Sequence, residues 1–93
     1  MELRTDLPEI GSRVEFTADV ERYPIDIWKP GTTGTVTTSE HDYIGVTLDA
    51  HDEKLDEWDN QVMWYGSGAG LTQDEMIAEF WSQVREAAPS PSL

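Results

Sequence analysis

Cysteine is absent from this chain, so neither a disulfide framework nor a thiolate zinc site can be built, and composition gives no redox clue to its compartment. Cations are scarce as well. Six Lys and Arg stand against nineteen Asp and Glu, a net charge of -13 over 93 residues. Such a field repels phosphate backbones and anionic headgroups, which argues against direct nucleic-acid binding and against a membrane-surface role. Long apolar runs are missing too. No stretch approaches the roughly 18 apolar residues of a membrane span, and "MELRTDLPEIGSR" carries charge throughout, unlike a signal peptide. The expectation is a cytoplasmic protein of one domain, too small for a cleft between two domains.

Catalytic signatures are equally sparse. There is no cysteine nucleophile and no G-x-S-x-G, and "GSGAG" lacks the lysine of a phosphate loop and precedes a helix opening with Asp74 and Glu75. Carboxylate catalysis needs an acid held in an apolar pocket, whereas the acids here sit among polar neighbours. His41 and His51 have Asp42, Asp49 and Asp52 near them in sequence, yet each lies in a turn-like stretch where an exposed histidine is commonplace. "DAHDEKLDEWDN" holds six carboxylates with only Lys54 to offset them, and its spacing does not fit an EF-hand. A solvated acidic loop or a protein-binding loop is the better reading. No cofactor, metal or catalytic residue is therefore expected, and the chain reads as non-catalytic.

What is present is a β pattern followed by one helix. "RVEFTA" alternates Val14, Phe16 and Ala18 with polar residues, the mark of a half-buried strand. "DVERYPIDIWKPG" has Pro24 and Pro30 and reads as a long loop pinned over the core by Tyr23, Ile25, Ile27 and Trp28. Gly31 and Gly34 bracket two threonines at a turn or bulge where positive φ is expected, and a strand starts near Thr33. "YIGVTLDA" completes a hairpin with it. "EWDNQVMW" reads as a further strand with Trp58, Asn60, Val62 and Trp64 on one face, Asn60 being the odd member. Thr72 and Glu75 form a capping box, with Leu71 and Met76 as a hydrophobic staple. Met76, Ile77, Phe80, Trp81 and Val84 then make an apolar stripe on a helix expected over 72–87. Residues 67–71 read as a glycine-rich linker and 88–93 as a flexible tail.

A strand, a long first loop, a G-x-x-G-x-V turn into a hairpin and a closing strand resemble the SH3-like small barrels, including the KOW type. More narrowly, "DVERYP", "GTTGTV", "VTLD" and "EWDNQVMW" look like a group of uncharacterised small proteins of bacteria and their mobile elements. The resemblance spans Gly11 to Trp64 and implies a five-stranded, strongly bent barrel; with the helix, which lies outside it and is read from its own pattern, the expected fold is mainly β, a small barrel over 1–66 followed by one C-terminal α-helix. It brings no catalytic residues. KOW-type nucleic-acid binders rely on basic loops, while the corresponding loops here carry Asp19, Glu21, Asp26, Glu40 and Asp42.

Four tryptophans are many for so short a chain, and large aromatics serve both cores and binding hot spots. Trp58 and Trp64 are expected in the core, and Trp28 and Tyr23 are placed as candidates for a functional surface. The candidate partner-binding residues are thus Asp49, Asp52, Glu53, Asp56, Glu57, Asp59, Tyr23 and Trp28. They suit an inhibitor or adaptor that occupies a basic, nucleic-acid-binding surface of a protein partner, as phage and mobile-element anti-defence proteins, anti-CRISPR proteins among them, do by DNA mimicry. The alternative is a regulatory or structural subunit packing through an aromatic face and its helix, a homodimer through that helix being one form of it.

Overall fold

The computed structural model describes residues 6–22 and 25–87. Seven strands and one α-helix follow in order: β1 (Arg13–Phe16), β2 (Val20–Arg22), β3 (Asp26–Trp28), β4 (Thr33–Glu40), β5 (Tyr43–Leu48), β6 (Gln61–Tyr65), α1 (Gln73–Gln83) and β7 (Val84–Glu86). Two 3-10 turns, Glu53–Trp58 and Ser67–Ala69, flank β6. Five strands form an antiparallel sheet in the order β6-β5-β4-β1-β7, and β2 pairs with β3 in a separate hairpin.

The alternation read from the sequence sets this sheet. Val14 and Phe16 of β1, Ile44, Val46 and Leu48 of β5, and Val62 and Trp64 of β6 all point into one core. The register places Val46 opposite Val62 and Ile44 opposite Trp64, so apolar residues meet across the ladder. The β4–β5 hairpin forms as expected, with a bulge between Val36 and Thr38. Gly31 has φ 97°, the left-handed backbone that glycine supplies. Gly34 serves a different need from the one expected. A Cβ there would lie 2.5 Å from the Thr47 carbonyl oxygen, so glycine is required for close strand approach rather than for positive φ.

Three readings are corrected. The stretch taken for a long loop folds as the β2–β3 hairpin, with Val20 opposite Trp28; Pro24 lies outside the described residues. "EWDN" is not strand. Glu53–Trp58 is a 3-10 turn, Asp59 and Asn60 adopt φ 57° and 61°, and β6 starts only at Gln61. The helix stops at Gln83 rather than Ala87, and Val84–Glu86 returns beside β1 with Val84 opposite Phe16. β-branched Val84 keeps its place in the apolar pattern but satisfies its backbone in a sheet.

The helix packs on its own sheet. The Thr72–Glu75 capping box is made in both directions, at 2.8 and 3.1 Å. Met76, Ile77 and Phe80 are buried in the same core as the strands, with Trp81 packed against it. Phe16, Trp64, Phe80 and Trp81 form a chain of edge-to-face rings with centroids 5.9, 4.9 and 4.8 Å apart. The Trp64 indole N–H donates to Gln83 Oε1 at 2.9 Å, which fixes the last turn of the helix over β6. The connection before the helix is tied down rather than loose. Asp42 accepts hydrogen bonds from the Ser67 backbone N–H at 2.8 Å and its hydroxyl at 2.5 Å, and these hold the Asp42 carboxyl below its usual pKa. Among the described residues, no helix is long and apolar enough to cross a membrane.

Candidate protein-binding surface

The acidic stretch between β5 and β6 is organised by one amide. Asn60 Nδ2 donates to the carbonyls of Leu48 and Ala50 at 3.1 and 3.2 Å, while its Oδ1 accepts from the Asp52 N–H at 2.9 Å. Asparagine tolerates the left-handed backbone found here and bonds locally, which explains the odd residue in the strand-like pattern. Leu55 is buried beneath the 3-10 turn and anchors it to the core.

The candidate acids divide by what they touch. Asp49 accepts from the two terminal guanidinium nitrogens of Arg13, Nη2 at 2.5 Å and Nη1 at 2.6 Å, and from the Thr33 hydroxyl at 2.7 Å. Arg13 above all, then Thr33, holds the Asp49 carboxyl down to a pKa of about 2. Asp52 caps the turn by accepting from the Lys54 N–H at 3.0 Å and receives the Trp28 indole N–H at 3.2 Å. Asp56 meets His51 Nε2 at 2.6 Å. Asp59 is exposed and closes the turn through its backbone. Glu53 and Glu57 are exposed, and among the described residues neither side chain has a hydrogen-bond or ion-pair partner. The structure therefore brings the six acids onto one ridge, with Asp49 and Asp52 committed to structure and Glu53 and Glu57 turned to solvent.

The aromatic expectations exchange places. Trp28 is only 7% exposed and packs in the core, its N–H bound to Asp52, so it offers little to a partner. Trp58 is 39% exposed on the 3-10 turn instead of buried on a strand face. Tyr23 lies outside the described residues. His51 meets the single carboxylate of Asp56, and among the described residues no group of three metal-ligating side chains occurs.

Residues that the sequence reading did not select complete the surface. Tyr65, 46% exposed, and Met63 lie on β6 at positions that alternate with buried Val62 and Trp64, a parity that would have marked them as outward once the strand was placed. Arg22 carries no such signal. Its Nε donates to the Met63 carbonyl at 2.8 Å and its guanidinium lies 4.7 Å from the Trp64 ring centroid, across the gap between the hairpin and the sheet. Burial pushes its pKa down, opposed by the charge of Glu79. Comparison of the chain with family models, curated proteins and solved structures finds no match.

Proposed function

We propose that this chain is a non-catalytic acidic binding module, an inhibitor or adaptor that occupies a basic, nucleic-acid-binding surface of a protein partner in the manner of mobile-element anti-defence proteins. The observation that carries the reading is the contrast between a helix stripe spent on the chain's own core and an acidic ridge turned outward. Met76, Ile77 and Phe80 are buried at home, which removes the stripe that a helix-mediated dimer or subunit contact would use. Lys29 and Arg85 sit beside Asp19 and Glu15, away from the ridge, and Arg13 pairs with Asp49 within it, so six acids there face only Arg13 and Lys54. The framework is read as an SH3-like barrel. Support comes from the last strand returning beside the first in the order β6-β5-β4-β1-β7, with the β2–β3 hairpin in the long first connection.

Carboxylates on a rigid ridge can stand in for duplex phosphates, which present about one charge per 1.7 Å of axis. Affinity capture from a lysate at low and then high salt should return proteins that handle nucleic acid. With a captured partner in hand, neutralising Asp52, Glu53, Asp56 and Glu57 to Asn and Gln should slow association and flatten the salt dependence, and duplex DNA should compete. Simultaneous binding of DNA and this chain, with equal salt slopes for both variants, would replace the mimic by a neutral adaptor.

A further inference from the structure

β6 is the outermost strand of the five-stranded sheet, and its hydrogen bonding tells which of its residues face outward. The Leu48 N–H donates to the Asn60 carbonyl, and the Gly66 N–H to the Asp42 carbonyl, at the two ends of the β5–β6 ladder. In an antiparallel pair, bonded and non-bonded residues alternate. Residues 60, 62, 64 and 66 therefore bond toward β5, and Gln61, Met63 and Tyr65 direct their N–H and C=O groups away from the sheet. The Met63 carbonyl confirms the parity, since it is reached from that side by Arg22 Nε.

Two hollows lie along this edge. One, of about 210 Å³, is bounded by Ile25, Leu55 and Trp58; the other, of about 220 Å³, by Trp64, Ala69 and Glu79. Arg22, Met63 and Tyr65 line both, so the two are one groove divided by the arginine bridge. Its walls are chiefly apolar, and its two exposed rings, Trp58 and Tyr65, are the kind of residue that anchors binding. Its acidic member is Glu79, which bounds the far hollow, and the exposed Glu57 and Asp59 flank Trp58 in the chain.

We propose that this groove takes an extended, basic segment of a partner protein along the β6 edge, with one apolar side chain in each hollow and Lys or Arg residues against the acidic rim. Arg22 already occupies the Met63 carbonyl, so backbone pairing falls to the N–H groups of Gln61, Met63 and Tyr65 and the carbonyls of Gln61 and Tyr65, while pockets for alternate side chains supply selectivity. Side chains two residues apart in an extended segment project to the same side, which suits two hollows separated by a single bridge. The charge of the occupant rests on the reading of the chain as a module for basic partners; the edge and the groove do not.

The test is a titration of the isotopically labelled full chain with the peptide Lys-Arg-Val-Thr-Leu-Arg-Lys, followed by NMR. The expected result is slowed exchange of the Gln61, Met63 and Tyr65 amides, shifts at the Trp58 indole, and at least about tenfold weaker binding by Tyr65→Ser, a substitution at an exposed site. A second peptide replaces Val and Leu by Ser, and a third replaces Lys and Arg by Gln. Equal binding of the Ser peptide, or no response at the three amides, overturns the groove while leaving the acidic-ridge reading intact. Equal binding of the Gln peptide retains the groove and removes the preference for a basic partner. Self-association of the free chain that Tyr65→Ser abolishes would give the edge to a second copy and overturn the assignment.

Discussion

Trp64 lies in β6 and Asn60 four residues earlier, just before the strand begins, and they hold the chain by opposite means. Around Trp64, Phe16 and Phe80 pack edge to face, and many interchangeable apolar contacts share the stabilisation. Around Asn60, one side chain makes three hydrogen bonds that set the course of twelve residues rich in like charge. The first region tolerates no lost volume. The second tolerates no lost amide, and its exposed carboxylates are displayed at the expense of mutual repulsion.

The largest effect should come from the apolar side. Phe80 is fully buried and touches both Trp64 and Trp81. Phe80→Ala should destabilise by about 3 to 5 kcal/mol, measured by denaturant unfolding. A loss below about 1 kcal/mol would mean that the helix contributes little to the core, and the contrast between the two regions would collapse.

Next is the amide. Asn60→Ala should cost about 2 to 3 kcal/mol, because three bonds are lost and alanine resists the left-handed backbone. Asn60→Gly separates the two causes, since glycine accepts φ 61° but restores no bond. If Gly recovers full stability, the acidic segment is held by backbone conformation alone, and the three bonds are incidental.

How far these features could be read from the sequence follows from their physics. Strand alternation and the capping box are local and periodic, so β1, the β4–β5 hairpin and the helix start were legible. The end of the helix was not, because Val84 fits the helical stripe and is captured by β1, a strand some seventy positions away. "EWDN" mimics a strand because Trp58 falls on the parity of Val62, yet two consecutive left-handed residues break the chain between them. The same break moves Trp58 to the surface, and pairing with Val20 carries Trp28 inward, which is why the tryptophan expectations were exchanged. Of the candidate surface, the ridge of acids was visible as composition. Its division into committed and outward carboxylates depends on Arg13, Thr33, Trp28 and His51, partners that spacing does not reveal.

A smaller effect is expected where the helix begins. Thr72→Ala removes the hydroxyl that accepts from the Glu75 N–H and should cost about 1 kcal/mol. Thr72→Ser should keep most of that stability. Equal losses for both would show that packing of Leu71 and Met76, rather than the cap, fixes the helix start.

The finest comparison is between acids of the ridge itself, read through pH. Asp49 is held down to a pKa of about 2, below the roughly 4 of an aspartate in an unfolded chain. Between those values the unfolded chain binds more protons than the folded one, so stability rises with pH across that window. The contribution is fully present above about 4 and is lost as pH falls through about 2. Asp42, also lowered, adds in the same sense. Acid unfolding of Asp49→Asn should therefore show a shallower loss of stability over that window than the parent, with part of the slope left by Asp42. Glu57→Gln removes an exposed charge with no partner among the described residues and should change stability by less than about 0.5 kcal/mol near neutrality. Added salt should shrink even that difference, since it screens exposed charges within about 8 Å at physiological strength. If Glu57→Gln instead destabilised the chain as much as Asp49→Asn, Glu57 would be bound into the structure, and the ridge would have fewer carboxylates to offer a partner.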